Sequence, residues 1–133
     1  RVGAYLHDVG KVRVPHEILG KPDTLTPDEF EVVQMHPVWG IELLAAVEFP
    51  WDIKAIIRWH HERHDGSGYP DRLRGDEIPL SAQVVGIADV YDALTTTRPY
   101  RPALPLERAL ATHGFNSIQF ENIIRQTQIL GRK

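Results

Sequence analysis

Ile53, Ile56, Ile57, His60 and His61 recur at i, i+3, i+4, i+7 and i+8. That spacing marks one face of an α-helix and suits no strand. The stripe opens on three isoleucines, so it faces a core, and it closes on two adjacent imidazoles. Polar rings at the end of a buried apolar stripe are costly without a partner. The partner that best suits neutral imidazole is a metal ion. A chain that folds this helix must therefore bring further donors to its end.

The rest of the sequence reads as helices separated by proline and glycine, which predicts an all-α domain. Val2, Tyr5, Leu6 and Val9 make a helical stripe that Gly10 stops. Residues 11 to 25 read as a loop broken by Pro15, Gly20 and Pro22. Thr26-Pro27-Asp28-Glu29 is a helix start with a capping box, and Phe30, Val33, Ile41 and Leu44 carry the apolar face that follows. Pro37 must kink or divide that helix, because it lacks a donor and clashes with the preceding turn. The histidine-bearing helix is predicted over Trp51 to Arg63, with a loop from 64 to 79. A long helix follows from Leu80 to about Thr96, with Leu80, Val84, Ile87, Tyr91 and Leu94 as its core stripe. Asp89 lies off that stripe among Ala82, Gly86 and Ala93, whose small side chains let another helix or a metal approach the carboxylate. Two shorter helices are expected at 105 to 113 and 116 to 130, the second capped by Asn116.

Composition narrows the chemistry. The 133 residues suffice for one domain with one core. There is no cysteine, which excludes disulfides, thiolate metal sites and cysteine nucleophiles. The net charge of −3 is too mild for a DNA-binding domain. No apolar run approaches the ~18 residues of a membrane span. A cytoplasmic location is expected from this mix of charges without cysteine. The chain opens on Arg1 and its one methionine is Met35, so the sequence reads as an N-terminally truncated fragment.

Four segments carry candidate donors. His7-Asp8-Val9-Gly10-Lys11 offers an imidazole and a carboxylate that could serve one metal or bridge two, with a lysine suited to a phosphate oxygen. Ordinary surface charge at a helix end is the alternative. His36, before Pro37, reads by itself as a packed or exposed histidine as readily as a ligand. His60 and His61 favour metal because both lie on the apolar face. Asp89, with Asp92 following, is the fourth source. Four histidines and two aspartates suit iron, manganese or zinc better than calcium or magnesium, and exceed what one ion needs. Such a centre activates water near neutral pH and clamps the oxygens of an in-line displacement at phosphorus. Gly66-Ser67-Gly68-Tyr69-Pro70 forms a loop in which Pro70 biases Tyr69 toward extended backbone. Arg98 and Arg101, around Pro99-Tyr100, could fork onto phosphate oxygens or simply cap a solvated helix end.

Taken together, these motifs resemble the HD-GYP subgroup of the HD metal-dependent phosphohydrolases. The resemblance rests on His7-Asp8-Val9-Gly10-Lys11, His36-Pro37, His60-His61-Glu62, Asp65-Gly66-Ser67-Gly68-Tyr69-Pro70, Asp89 with Asp92-Ala93-Leu94, and Arg98-Pro99-Tyr100-Arg101. It runs from about Arg1 to about Leu110. It implies an HD-domain helical bundle lacking its N-terminal helices, which in the family supply one or two further ligands. The stretch from about 113 to 133 departs from the family pattern and is expected to form a divergent final helix that could mediate a homodimer. The implied activity is hydrolysis of cyclic di-GMP to pGpG or GMP at two or three transition-metal ions, iron or manganese. The implied metal ligands are His7, Asp8, His36, His60, His61 and Asp89, with Asp8 bridging. Lys11 would contact phosphate and assist the leaving group, and Tyr69, Arg98 and Arg101 would hold the dinucleotide. Glu62 and Asp65 would support them, while His64 falls at a variable position and is expected to be exposed.

Two other functions compete with this reading. One is phosphohydrolysis of another nucleotide, against which the GYP loop argues. The other is an inactive docking module for signalling partners such as diguanylate cyclase domains, engaged through the same loop.

Overall fold

Thr26 opens its helix as the sequence predicts. Glu29 N donates to Thr26 Oγ1 at 3.3 Å, and Thr26 N donates back to Glu29 Oε2 at 2.7 Å. Lys21 Nζ adds a 2.6 Å ion pair to the same carboxylate. This helix belongs to a computed structural model that describes residues 2–95. Its helices are α1 (Val2–Leu6), α2 (His16–Leu19), α3 (Pro27–Gln34), α4 (His36–Leu43), α5 (Ile53–Trp59) and α6 (Leu80–Thr95). Two 3-10 helices, Val9–Arg13 and Gly75–Glu77, join them. No strand occurs among the described residues, and the fold is all-α. The chain divides into two compact units, Arg1–Gly86 and Ile87–Lys133. The expected helices at 105 to 113 and 116 to 130, and the final stretch from about 113 to 133, lie outside the described residues.

Pro37 divides rather than kinks. Helix α3 ends at Gln34 and α4 starts at His36, so the proline falls in the first turn of a new helix, where its missing N–H is no loss. The break places His36 and Pro37 fully inside. Helix α4 packs on the 3-10 helix Val9–Arg13 and on α5, while α1 lies against α5. The first of these contacts depends on Gly10. A Cβ there would stand 1.8 Å from His36 O and 2.6 Å from Gly40 N, so only hydrogen fits. Val14, Ile53, Ala55, Ile57, Ile78 and Ala82 fill the core of the first unit.

Four sequence expectations need revision. The first helix ends at Leu6, not Gly10, and His7 and Asp8 occupy a turn. The stretch read as a loop from 11 contains most of a 3-10 helix and then α2, both too short to leave a periodic pattern. Helix α5 ends at Trp59, with His60 as its C-cap, because Glu62 N closes a tighter turn onto Trp59 O at 3.0 Å. Phe30, Leu80 and Tyr91 are exposed rather than core.

Candidate metal centre

Three segments of the first unit converge at the end of α5. His60 sits at the C-cap of that helix, His36 at the first residue of α4, and Asp8 in the turn before the Val9–Arg13 helix. One donor atom from each of Asp8, His36, His60 and His61 lies within 4.8 Å of all the others. His36 and His60 are buried, His61 and Asp8 partly so.

Backbone carbonyls aim the imidazoles. His36 Nδ1 donates to Val33 O at 2.7 Å. His60 Nδ1 shares its hydrogen between Ile57 O at 3.0 Å and Ile56 O at 3.1 Å. His7 Nδ1 donates to Ala4 O at 2.7 Å. A carbonyl oxygen can only accept, so the proton of each neutral ring belongs on Nδ1 and the lone pair on Nε2. His36 Nε2 and His60 Nε2 then face each other at 3.4 Å. Asp8 Oδ1 stands 3.2 Å from the first and 3.9 Å from the second. That oxygen is buried and accepts no hydrogen bond. Three acceptors therefore meet with no donor between them.

A proton on His60 does not resolve the conflict. Burial, reinforced by the His7 and His36 rings, pushes its pKa down to about 4. Burial also works against ionisation of Asp8, but the hydrogen bond and charge of the Lys11 ammonium outweigh it and hold the carboxyl well below its ordinary value. A bound cation would reconcile these acceptors. Metal–nitrogen bonds of about 2.0–2.1 Å put two donors on one tetrahedral ion about 3.3 Å apart, close to the His36–His60 spacing. The two-nitrogen, one-oxygen set with a third imidazole nearby fits a borderline transition metal.

Asp8 presents its second oxygen elsewhere. Oδ2 receives Lys11 Nζ at 2.6 Å and lies 3.5 Å from His7 Nε2. The carboxylate thus turns one oxygen to the His36–His60 pair and the other to His7 and Lys11. The ring of Tyr69 stacks on His61, with centroids 4.7 Å apart and planes at 26°. Asp65 makes a turn, accepting from Ser67 N at 2.9 Å and Ser67 Oγ at 2.6 Å. His64 is exposed, as expected.

Three expected site residues fall beyond the first unit. Asp89 is partly buried on α6 and belongs to the second unit. Arg98 and Arg101 lie outside the described residues. One polar group has no motif signature in the sequence. Asp71 accepts from Arg58 Nε at 2.7 Å, Arg58 Nη2 at 2.8 Å and Trp59 Nε1 at 2.7 Å. Its place directly after Pro70 was the only available hint.

A partly buried carboxylate and imidazoles aimed by main-chain carbonyls make a group able to hold a metal ion, and the chain belongs to the HD domain family, whose sequence profile it matches over residues 1–117. Within that family its motifs are those of the HD-GYP subgroup. It is 48% identical over 112 residues to the cyclic di-GMP phosphodiesterase response regulator RpfG of Xanthomonas campestris pv. campestris, covering 83% of this chain and 30% of that one. It is 46% identical over 108 residues to a cyclic di-GMP phosphodiesterase of Thermotoga maritima, covering 80% and 29%. It is 47% identical over 98 residues to 3'3'-cGAMP-specific phosphodiesterase 2 of Vibrio cholerae, covering 72% and 19%. The chain spans less than a third of the length of each of these relatives. No described helix is long and apolar enough to cross a membrane.

Proposed function

We propose that this chain carries the catalytic centre of a phosphodiesterase that hydrolyses cyclic di-GMP to pGpG or GMP. The observation that carries the reading is the convergence of Asp8 Oδ1, His36 Nε2 and His60 Nε2 without a donor between them. His7, Asp8, His36, His60, His61 and Asp89 would hold two or three ions of iron or manganese, with Asp8 shared between them. Bound metal supplies Lewis acidity and activates water at neutral pH. Asp8 enters ionised, its charge already favoured by Lys11. The Lys11 ammonium would contact a phosphate oxygen and offset charge on the departing oxygen. Tyr69 walls the site beside His61, and Arg98 and Arg101 would fork onto the dinucleotide's phosphates.

The reading takes residues 1–133 as one HD-GYP domain acting in the cytoplasm, with self-association and docking of diguanylate cyclase domains on the GYP loop as further roles. A second substrate has specific support, because the relative named for 3'3'-cGAMP is as similar as those named for cyclic di-GMP. Both substrates present the same phosphodiester to the metal centre. Incubating protein loaded with iron or manganese with each cyclic dinucleotide, and resolving products by chromatography, decides between them. Metal-loaded protein that leaves both intact refutes the enzymatic reading.

A further inference from the structure

We propose that Glu62 is a positioning residue of this site, whose carboxylate fixes the loop from Gly68 to Leu73 so that Tyr69 stays face to face with His61. Glu62 is only 9% exposed. Its Oε1 accepts from Asp71 N at 2.7 Å and Arg72 N at 3.1 Å, and its Oε2 accepts from Leu73 N at 3.0 Å. Three successive amides point at one carboxylate because Arg72 adopts the left-handed region at φ 57°, a conformation that L residues rarely take without compensation. Together they form a concave anion cradle, and the anion is supplied by the chain itself.

The loop is held on both sides of Tyr69. Before it, Gly68 lies directly on the segment that carries the imidazoles. A Cβ there would come within 2.4 Å of Arg63 N and 2.5 Å of His61 O. Tyr69 N donates to His61 O at 3.3 Å. After it come the Glu62 bonds, backed by the grip of Arg58 and Trp59 on Asp71. Glu62 is the residue next to His61, so the same short stretch presents the imidazole and secures the ring stacked on it. Neutral glutamine in place of Glu62 would turn an amide donor toward amide donors and open the cradle.

The functional consequence rests on the phosphodiesterase reading. In E62Q, metal content is expected to match wild type. KM for the cyclic dinucleotide is expected to rise by about tenfold or more, with kcat changing far less, since misplacing a contact by ~1 Å has effects of that order. In a Tyr69→Ala background the same change should add little, because Glu62 acts through Tyr69. A KM unchanged in folded, metal-loaded E62Q overturns the proposal, and so does full additivity with Tyr69→Ala. Should E62Q fail to fold, E62D carries the same test, because it keeps the charge but withdraws it by one methylene. Wild-type protein that cleaves no cyclic dinucleotide would refute the function while leaving Glu62 open to a separate readout. Amide hydrogens of residues 71–73 should exchange slowly in wild type and rapidly in the variant, and equal exchange rejects the positioning role.

Discussion

His36 Nε2 and His60 Nε2 face each other across 3.4 Å, each ring having committed its other nitrogen to a backbone carbonyl. Two lone pairs at that distance, beside an ionised carboxylate, create a demand for positive charge. Replacing either ring by alanine is expected to weaken metal binding by on the order of 100-fold or more, since even partners behind a ligand matter by 10- to 100-fold. Elemental analysis of purified H36A and H60A checks this, and wild-type metal content in both would contradict it.

The same demand predicts that metal stabilises the fold. At about 100 times its Kd, an ion that binds only the native chain adds ~2.7 kcal/mol. Chelation should lower the melting temperature, and readdition of metal should restore it.

Gly10→Ala tests how closely the donor segments must approach. Its methyl would overlap His36 O, which neighbouring backbone cannot yield cheaply. Overpacking of this kind costs ~1–3 kcal/mol or more. Denaturant titration should show the loss, and metal affinity should fall with it, because Asp8 and His36 lie on the two sides of that contact.

The Asp71 clamp predicts a pH dependence. The Arg58 guanidinium holds the Asp71 carboxyl below its ordinary value against partial burial, with the Trp59 indole assisting. A depressed carboxyl contributes stability that is present above its unfolded value of about 3.9 and lost as pH falls through the lower folded value. Asp71→Asn should flatten that acid limb of the stability curve. At neutral pH its effect should stay within ~1 kcal/mol, as expected for a pair a third exposed to water.

Lys11→Met separates charge at phosphate from metal retention. Under the proposed function, kcat on cyclic di-GMP should fall by about 100-fold, the scale of losing one donor to developing charge. Metal content should persist, because Asp8 Oδ1, His36 Nε2 and His60 Nε2 remain. Unchanged turnover would remove Lys11 from the chemistry.

The cluster at the end of α5 was legible where periodicity is strong. Ile53, Ile57 and His60 are buried as their spacing requires. Thr26 and Pro37 were legible because capping and proline chemistry act within one turn. His36 was ambiguous alone, since only the break at Met35 turns its ring inward, and that break becomes visible only when α3 and α4 are both in place. The turn at His7 and Asp8 escaped because its stripe continued formally to Val9. Spacing puts Phe30 on an apolar face but does not reveal whether another element covers that face. The Glu62 cradle was illegible because it joins residues 9 to 11 positions apart through backbone amides, which every sequence has.

The carbonyls that aim His7, His36 and His60 come from Ala4, Val33, Ile56 and Ile57, each within four residues of the ring it orients. A main-chain oxygen is present whatever side chain its residue carries. Aim is therefore inherited with the helical path and is insulated from drift in the surrounding side chains. Lineages sharing this architecture are free to vary those positions while keeping their donors trained on one point, provided the local main chain keeps its course.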